Sequence, residues 1–409
     1  MEFPLISKKW KKSMKRACIV YPNEYYGGVY SLGCLIIYNL INSREGWICE
    51  RRFLNDATDL DKFDLIGFSL QYELDYYNIL KILNKNKIKG YTFAGGPCVN
   101  INQNILDGVV DFTVAGDVEE VLFKILDAYG DNFLEKISKL DGVRKGSFAI
   151  VSDLDKSYPI YQPIEEKINK NFVFGKCFIL EIERGCPFKC HFCPMSKMHG
   201  LRYRDFENIK NIIDDGVKLN KRDRVVIYSA SFTHPKRKEI LRYLIEKGLS
   251  FSVPSLKVEY VDEELLDLIY KGGQKSLTVA PECGEKLRKN IGKYVSDEVF
   301  FNFARMTKKF KSIKLYFMVG IPRQDKTDLD EMIDFIGKFR NIFSNIYVSF
   351  NPFVPKPKTI FENHIFDKKI IKEQINYLRK NLKLRAKYSN ADNSFREWKT
   401  IRKNLQMSI

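Results

Sequence analysis

The sequence predicts an α/β chain in two parts, a doubly wound parallel sheet with helices on both faces followed by a partial β/α barrel. Three observations carry this. Before Val151, apolar β-rich runs alternate with stretches of helical spacing. After Asn171, six further apolar runs, each closing on Pro, Gly or Ser, alternate with helical patterns again. Between them "SDLDKSYPIYQPIEEKINKN" (Ser152–Asn171) carries prolines and charge without a clean period and reads as a linker.

In the first part, "RACIVY" (Arg16–Tyr21) reads as a buried strand and "SLGCLIIYNLIN" (Ser31–Asn42) as a helix. "DLIGFSL" (Asp64–Leu70) is a strand, and "ELDYYNILKILNKN" (Glu73–Asn86) has apolar residues at helical spacing. "YTFAGG" and "DFTVAG" are short strands ending on glycine. Ligands of such sheets bind outside the carboxyl ends of the strands, and Gly27, Gly28, Gly95 and Gly96 fall there. Glycine also serves ordinary βα turns. In the second part the strand candidates are "KCFILEIE", "DRVVIYSAS", "FSVPSL", "KSLTVAP", "IKLYFMVGIP" and "NIYVSFNPF", with helical patterns such as "PKRKEILRYLIEKG" and "DLDEMIDFIGKFRNIF" between them. The expected divisions are 1–150, a linker over 151–171, a barrel over 172–355 and a basic helical segment over 356–409.

At 409 residues the chain can bury a sizeable core. The basic N-terminus "MEFPLISKKWKKSMKR" lacks the apolar run of a signal peptide, and charges interrupt every long apolar stretch, so no membrane insertion and a cytoplasmic location are expected. The net charge of +17 favours acidic partners, nucleic acid above all; a lysine-rich solvated surface accounts for it as well.

The chemistry concentrates in "EIERGCPFKCHFCPM" (Glu181–Met195), where Cys186, Cys190 and Cys193 fall in the loop after the first strand of the second series. The thiols can close a disulfide, hold zinc or hold an iron–sulfur cluster. The nine cysteines are odd in number, and a reducing compartment disfavours disulfides. Structural zinc needs a closed set of four donors, which His199 would complete, but the tight CxxC pair of such sites is not repeated. Three thiolates at x3 and x2 spacing suit a 4Fe-4S cluster with one iron left without a protein ligand, where a small molecule can chelate.

"CPFKCHFC" resembles the signature of the radical S-adenosylmethionine enzymes, including the aromatic Phe192 before the third cysteine. The resemblance implies that S-adenosylmethionine binds the open iron and is cleaved to a 5′-deoxyadenosyl radical, with an electron from a reductant protein or other low-potential donor. "GIP" resembles the family's segment near the adenine, which implies roles for Gly320 and Ile321. "VAPECG" resembles a polar strand end near the methionyl and ribose groups, with Glu282, and the strand end of "DRVVIYSAS" offers Ser229. "SVPSLKVE" places Ser255 and Lys257 where the family often has Ser and Arg; the lysine removes a bidentate contact to the carboxylate.

The first part resembles the Rossmann-like cobalamin-binding domain found ahead of one radical S-adenosylmethionine class (class B methylase-like). The segments are "YPNEYYGGVYSLG", "GFSLQYELD", "AGGPCVN" and "VAGDVEEVL". This implies cobalamin contacts at Tyr26, Gly27, Gly28, Gly33, Ser69, Leu70, Gln71, Gly95, Gly96, Pro97 and Glu119. The family's DxHxxG motif is absent, and all four histidines lie after Val151, so cobalt would be bound without a histidine from this domain. A degenerate domain serving as scaffold or substrate platform is the alternative, because a fold resemblance does not establish a ligand. Cys98 reads as a small buried residue. "FNPFVPKPKTIF" (Phe350–Phe361) either edges a substrate opening or ends the barrel.

The expected activity is cobalamin-dependent methyl transfer to an unactivated carbon. The alternatives are a tRNA-modifying enzyme of methylthiotransferase type and a non-enzymatic, zinc-stabilised nucleic-acid-binding protein. A protein side chain, an RNA base, a lipid and a small metabolite all remain open as substrate, and no group beyond the cofactor ligands is singled out as catalytic.

Overall fold

A computed structural model describes residues 8–165, 167, 169–198 and 200–404. His199 and the outermost parts of both basic termini lie outside the described residues. The chain divides into two compact units, Met1–Ile179 with Asn211–Arg222 and Lys399–Ile409, and Leu180–Lys210 with Asp223–Trp398.

The first unit is built on five strands, β1 (Lys15–Tyr21), β2 (Trp47–Phe53), β3 (Leu65–Ser69), β4 (Tyr91–Gly95) and β5 (Phe112–Val114), in the order β2-β1-β3-β4-β5. All four neighbouring pairs are parallel. The central β3 is buried at every position, which explains its unbroken apolar run. The edge strand β2 alternates instead, with Trp47, Cys49, Arg51 and Phe53 turned inward. Sequence reading did not find β2. Its charges hide the alternation, and they are accommodated locally: Glu50 pairs with Arg16 at 2.9 Å and with Arg52 at 2.6 Å, and the Arg51 guanidinium lies 5.7 Å over the rings of Tyr38 and Phe53. The helix Leu32–Ser43 buries Cys34, Leu35, Tyr38 and Ile41, and its Cys34, Tyr38 and Ile41 join Ala17, Ile19, Trp47, Leu65 and Phe93 in one core.

This strand order has its switch point between β1 and β3, the place where sheets of this kind take ligands past their carboxyl ends. Gly96 is where backbone approaches backbone there. Leu70 N–H donates to Gly95 O at 2.8 Å and Cys98 N–H to Leu70 O at 3.3 Å, drawing the β3 and β4 loops together. Gly96 sits at φ +106°, and a Cβ on it would lie 2.9 Å from Leu70 O. Within the segment read as a linker, the buried Gln162 carboxamide donates to Ile179 O at 2.9 Å and accepts from Ile179 N–H at 2.8 Å.

The second unit begins within β6 (Phe178–Glu181), which forms one sheet with β9 (Arg224–Tyr228) and β10 (Ser250–Ser252), ordered β10-β9-β6. The strands β11 (Ser276–Glu282), β12 (Ser312–Val319), β13 (Ile346–Pro352) and β14 (Ala386–Tyr388) form another. Between β6 and β9, a short antiparallel pair joins β7 (Glu183–Arg184) to β8 (Arg202–Tyr203). The six expected strands are present, and among the described residues no hydrogen-bonded pairing closes the two sheets into a barrel. The additional strand β14 lies in the segment read as helical, between helices Lys368–Asn381 and Ala391–Ile401. It is an edge strand, and Lys383, Arg385 and Lys387 are exposed along and before it, at the spacing that discourages edge-to-edge pairing. Among the described residues no helix is long and apolar enough to cross a membrane.

Gly96→Ala is expected to destabilise the protein by about 1–3 kcal/mol, since a side chain there is strained and meets the Leu70 carbonyl. Urea denaturation of both proteins measures this.

Candidate active site

The cysteine loop begins where β6 ends. Gly185, at φ +94°, turns the chain out of β7, and a Cβ on it would lie 2.6 Å from Gly200 O. Beneath the loop the buried Glu181 accepts from Arg184 Nε at 2.9 Å, Arg184 Nη2 at 3.0 Å and Arg204 Nη2 at 2.9 Å. Burial works against the Glu181 charge, but the two guanidiniums outweigh it and hold its pKa below the ordinary value. The Arg204 side chain is fully buried, and its backbone carbonyl is met by His234 Nε2 at 2.9 Å. Glu183, also buried, accepts from the hydroxyl of Ser229, from Ser231 Oγ at 2.9 Å and from Thr233 N–H at 3.1 Å. Ser229, at the carboxyl end of β9, is thereby fixed toward the start of the cysteine loop.

None of the nine cysteines is in a disulfide. Cys18, Cys34, Cys49, Cys98, Cys177 and Cys283 are buried, whereas Cys186, Cys190 and Cys193 are half-buried. Burial raises the Cys190 thiol pKa first, with Lys257 and Lys293 pulling it down and Glu282 and Cys186 pushing it up. Burial likewise raises Cys193, and its neighbours Cys190 and Cys186 add to the shift. Three accessible thiols that sense one another, next to two ammonium groups, form a donor set suited to an iron–sulfur cluster. Among the described residues no group of three or more His, Cys, Asp or Glu side chains is gathered for a metal ion.

The loop is held against the turn at Asn290–Gly292. His191 N–H donates to Ile291 O at 2.9 Å, and His191 Nδ1 lies 3.0 Å from Asn290 O. Phe192 is half-buried beside it. Lys257 Nζ stands 4.6 Å over the Phe188 ring, which in turn packs 5.5 Å from Tyr260, while Ser255 is exposed. At the end of β11 the register with β12 shifts between Val279 and Glu282, and Glu282 adopts φ +70°. Its carboxylate pairs with Lys293 Nζ at 3.2 Å, both side chains being mostly buried. At the end of β12, Gly320 adopts φ +80°, and its N–H is shared by Gln324 Oε1 at 2.8 Å and Gln374 Oε1 at 2.7 Å. Ile321 beside it is buried. Lys257, Lys293 and Glu282 lie near enough to Cys190 for their charges to act on it, while Ser229 and the Gly320 turn are set by their own partners at neighbouring strand ends. Sequence reading missed Glu181, Glu183, Arg204, Gln324, Gln374 and Lys293; Glu183, Arg204 and Gln374 find partners far along the chain, and the others bond across turns that only the fold defines.

In the first unit, Ser69, Leu70 and Gln71 follow β3, with Gln71 Nε2 donating to Ser69 Oγ at 2.7 Å. Gly95, Gly96 and Pro97 follow β4. Tyr26, Gly27 and Gly28 lie in the helix Tyr25–Gly28 after β1. Tyr26 packs 5.1 Å from Phe172, and its carbonyl accepts from Val173 N–H at 3.3 Å, so one side of this residue is taken up by the chain itself. Gly33 is exposed in the next helix, and Glu119 follows the Gly116 turn, which sits against Ala149. Near the same edge Asp75 is buried, accepting from Asn23 Nδ2 at 2.7 Å; burial pushes its pKa up to about 6. Tyr76 and Tyr77 contact the chain's C-terminal residues, Tyr76 through Lys403 and Tyr77 through Thr400.

A site of three thiols at a strand end, with polar groups at the neighbouring strand ends, defines a class of cluster-dependent enzyme. Two family models match the chain: Radical SAM superfamily over residues 180–336 and Radical SAM proteins, N-terminal, over residues 33–149. An uncharacterized protein of Methanocaldococcus jannaschii is 33% identical over 398 residues, covering 93% of this chain and 86% of the relative. A putative methylthiotransferase of the same organism is 25% identical over 348 residues, covering 76% and 73%. Among solved structures, the radical S-adenosylmethionine methyltransferase TsrM from Kitasatospora setae, with cobalamin and a 4Fe-4S cluster bound, superposes with a TM-score of 0.62 at 14% identity, covering 85% of this chain and 73% of that one. The chain belongs to the radical S-adenosylmethionine superfamily, whose members use a 4Fe-4S cluster and S-adenosylmethionine.

The Glu181 pair predicts a pH dependence. A carboxylate whose folded pKa is depressed adds stability above its unfolded value of about 4.3, and that stability is lost as pH falls through the folded pKa. Glu181→Gln should therefore be less stable than the parent by about 3–5 kcal/mol near pH 7, because Arg204 is left buried without its anion. The gap should narrow below about pH 4, and urea titrations across that range measure it.

Proposed function

We propose that the protein is a cobalamin-dependent radical S-adenosylmethionine methyltransferase acting on an unactivated carbon. The observation that carries this reading is the pairing, in one chain, of a five-stranded parallel sheet in the order β2-β1-β3-β4-β5 with a second α/β unit bearing the cysteine loop, an arrangement similar in fold to TsrM. Cys186, Cys190 and Cys193 would hold the cluster. When bound, the cluster supplies the electron for cleavage of S-adenosylmethionine, and cobalamin supplies the methyl group. The chain's own residues bind and orient. Lys257 and the Glu282–Lys293 pair offer charge to the cofactor's carboxylate and amino groups, and the Gly320 turn offers backbone near the adenine. In the first unit, the Ser69–Gln71 and Gly95–Pro97 loops present backbone at the switch point, where a corrinoid would lie against them. A low-potential reductant is the required partner. RNA and protein remain the favoured substrate classes, given the charge of +17.

A second reading, a methylthiotransferase, is favoured by the similarity to the putative methylthiotransferase. That group carries a further cysteine set in its N-terminal domain. Here the cysteines of the first unit are buried, Cys18 and Cys49 on β1 and β2, Cys34 and Cys98 on helices and Cys177 just before β6.

Anaerobic reconstitution separates the readings. Methyl transfer by this scheme expects about four irons per chain, and a second cluster about eight. Replacing Cys186, Cys190 and Cys193 together with Ala should abolish both the iron and the formation of 5′-deoxyadenosine; one zinc and no iron in the parent protein would sink the enzyme reading. Methylcobalamin should bind with the spectrum of the base-off form, because no histidine lies in the first 150 residues. A titration that shows no binding, or the base-on spectrum, would overturn the corrinoid assignment.

A further inference from the structure

One short turn touches both halves of the second unit's site. His191, between two of the cysteines, is attached to it twice, by its N–H to Ile291 O at 2.9 Å and by Nδ1 to Asn290 O at 3.0 Å. Gly292 lies directly under the imidazole. It adopts φ +73°, and a Cβ on it would lie 2.6 Å from His191 Cδ2, so only glycine lets the ring come down. The next residue, Lys293, turns the other way. Its side chain is mostly buried, and its ammonium donates to Ala280 O and, at 3.2 Å, to Glu282 Oε1.

The turn is itself anchored. It closes the helix Glu285–Asn290, and Lys293 N–H donates to Arg288 O at 3.0 Å. Arg288 is wholly buried and donates to Pro281 O at 2.8 Å, Val295 O at 2.7 Å, Cys283 O at 2.8 Å and Asp297 Oδ1 at 2.9 Å. Helix and turn are thus bound to the end of β11 by charge-assisted bonds, the strong kind in a buried setting. The cysteine loop rests on one side of this unit and Glu282 on the other.

We propose that the Asn290–Lys293 turn positions the site, and that Lys293 is a positioning residue which presents Glu282 to S-adenosylmethionine at a fixed offset from the cluster loop. This rests on the proposed function for what Glu282 meets, but the clasp on the loop does not. Without Lys293, Glu282 keeps its left-handed backbone but loses the cation that fixes its carboxylate. Without Gly292, His191 cannot sit on the turn, and the cysteine loop loses its seat.

Two measurements test this. Lys293→Met, Glu282→Gln and the double variant are reconstituted anaerobically, iron is quantified, and the dissociation constant of S-adenosylmethionine is read by equilibrium dialysis. Iron content should match the parent, since the three thiolates are untouched. Each single variant should bind about tenfold more weakly, as loss of one charge-assisted bond implies. The double variant should be no weaker than either single one, because Lys293 acts through Glu282. Lys293→Arg, which keeps the charge, should recover part of the affinity. Parent-like binding by Lys293→Met, or losses that add in the double variant, would overturn the role of Lys293. The second measurement uses the protein without its cluster: hydrogen exchange over residues 186–193 should speed up about tenfold in Gly292→Ala as local opening becomes easier, while β12 is unchanged. Unaltered exchange in that loop would overturn the clasp, whether or not the parent protein takes up iron.

Discussion

Arg204 is a guanidinium with no exposed surface, and the cysteine loop is built over the carboxylate that makes this tolerable. Burying such a charge is costly unless an anion meets it, and Glu181 does so while also holding Arg184. The arrangement ties three points of the chain together: the end of β6, the strand entering the cysteine loop and the strand leaving it. Because β7 and β8 flank the loop as an antiparallel pair, its two ends are fixed close together, and the three thiols have a short, closed span in which to sit. Ser229 is placed by the next carboxylate along, Glu183, so two buried acids organise the first third of the site.

The first unit depends on a different constraint, close backbone approach at the carboxyl edge of a parallel sheet. Gly96 brings the β4 loop onto Leu70, and both loops then offer backbone rather than side chains at the switch point. Strand-end loops at a switch point are where sheets of this kind take their ligands. Near it the buried carboxyl of Asp75 is pushed toward neutrality, first by burial.

Much of this was legible in the sequence where a single physical rule dominated. Strands that bury apolar residues carry apolar-rich runs, so β1, β3, β4, β5 and six strands of the second series (β6 and β9 to β13) could be read directly. The cysteine loop was legible because cluster ligation requires thiolates at short spacing, whatever the fold around them. Strand β2 was not, because an edge strand tolerates Glu50, Arg51 and Arg52 once Arg16, Tyr38 and Phe53 are beside them, and those partners are invisible along the chain. Strand β14 is three residues long, with Lys387 on it and Lys383 and Arg385 before it, so the charge of this stretch reads equally as a solvated tail or a nucleic-acid contact. Lys293 and Gly292 were hidden for the same reason: "NIGKYV" gives a helix stop, and only the fold shows that the glycine seats His191 and the lysine faces Glu282.

The central claim is that three cysteines of the second unit hold a cluster whose remaining iron is open to S-adenosylmethionine. Electron–nuclear double resonance on the reduced protein, with S-adenosylmethionine carrying nitrogen-15 in its amino group, tests it most directly. The account predicts a nitrogen coupling that changes with the isotope and disappears when the cofactor is omitted. A reduced cluster whose spectrum shows no coupling to the labelled nitrogen would contradict it.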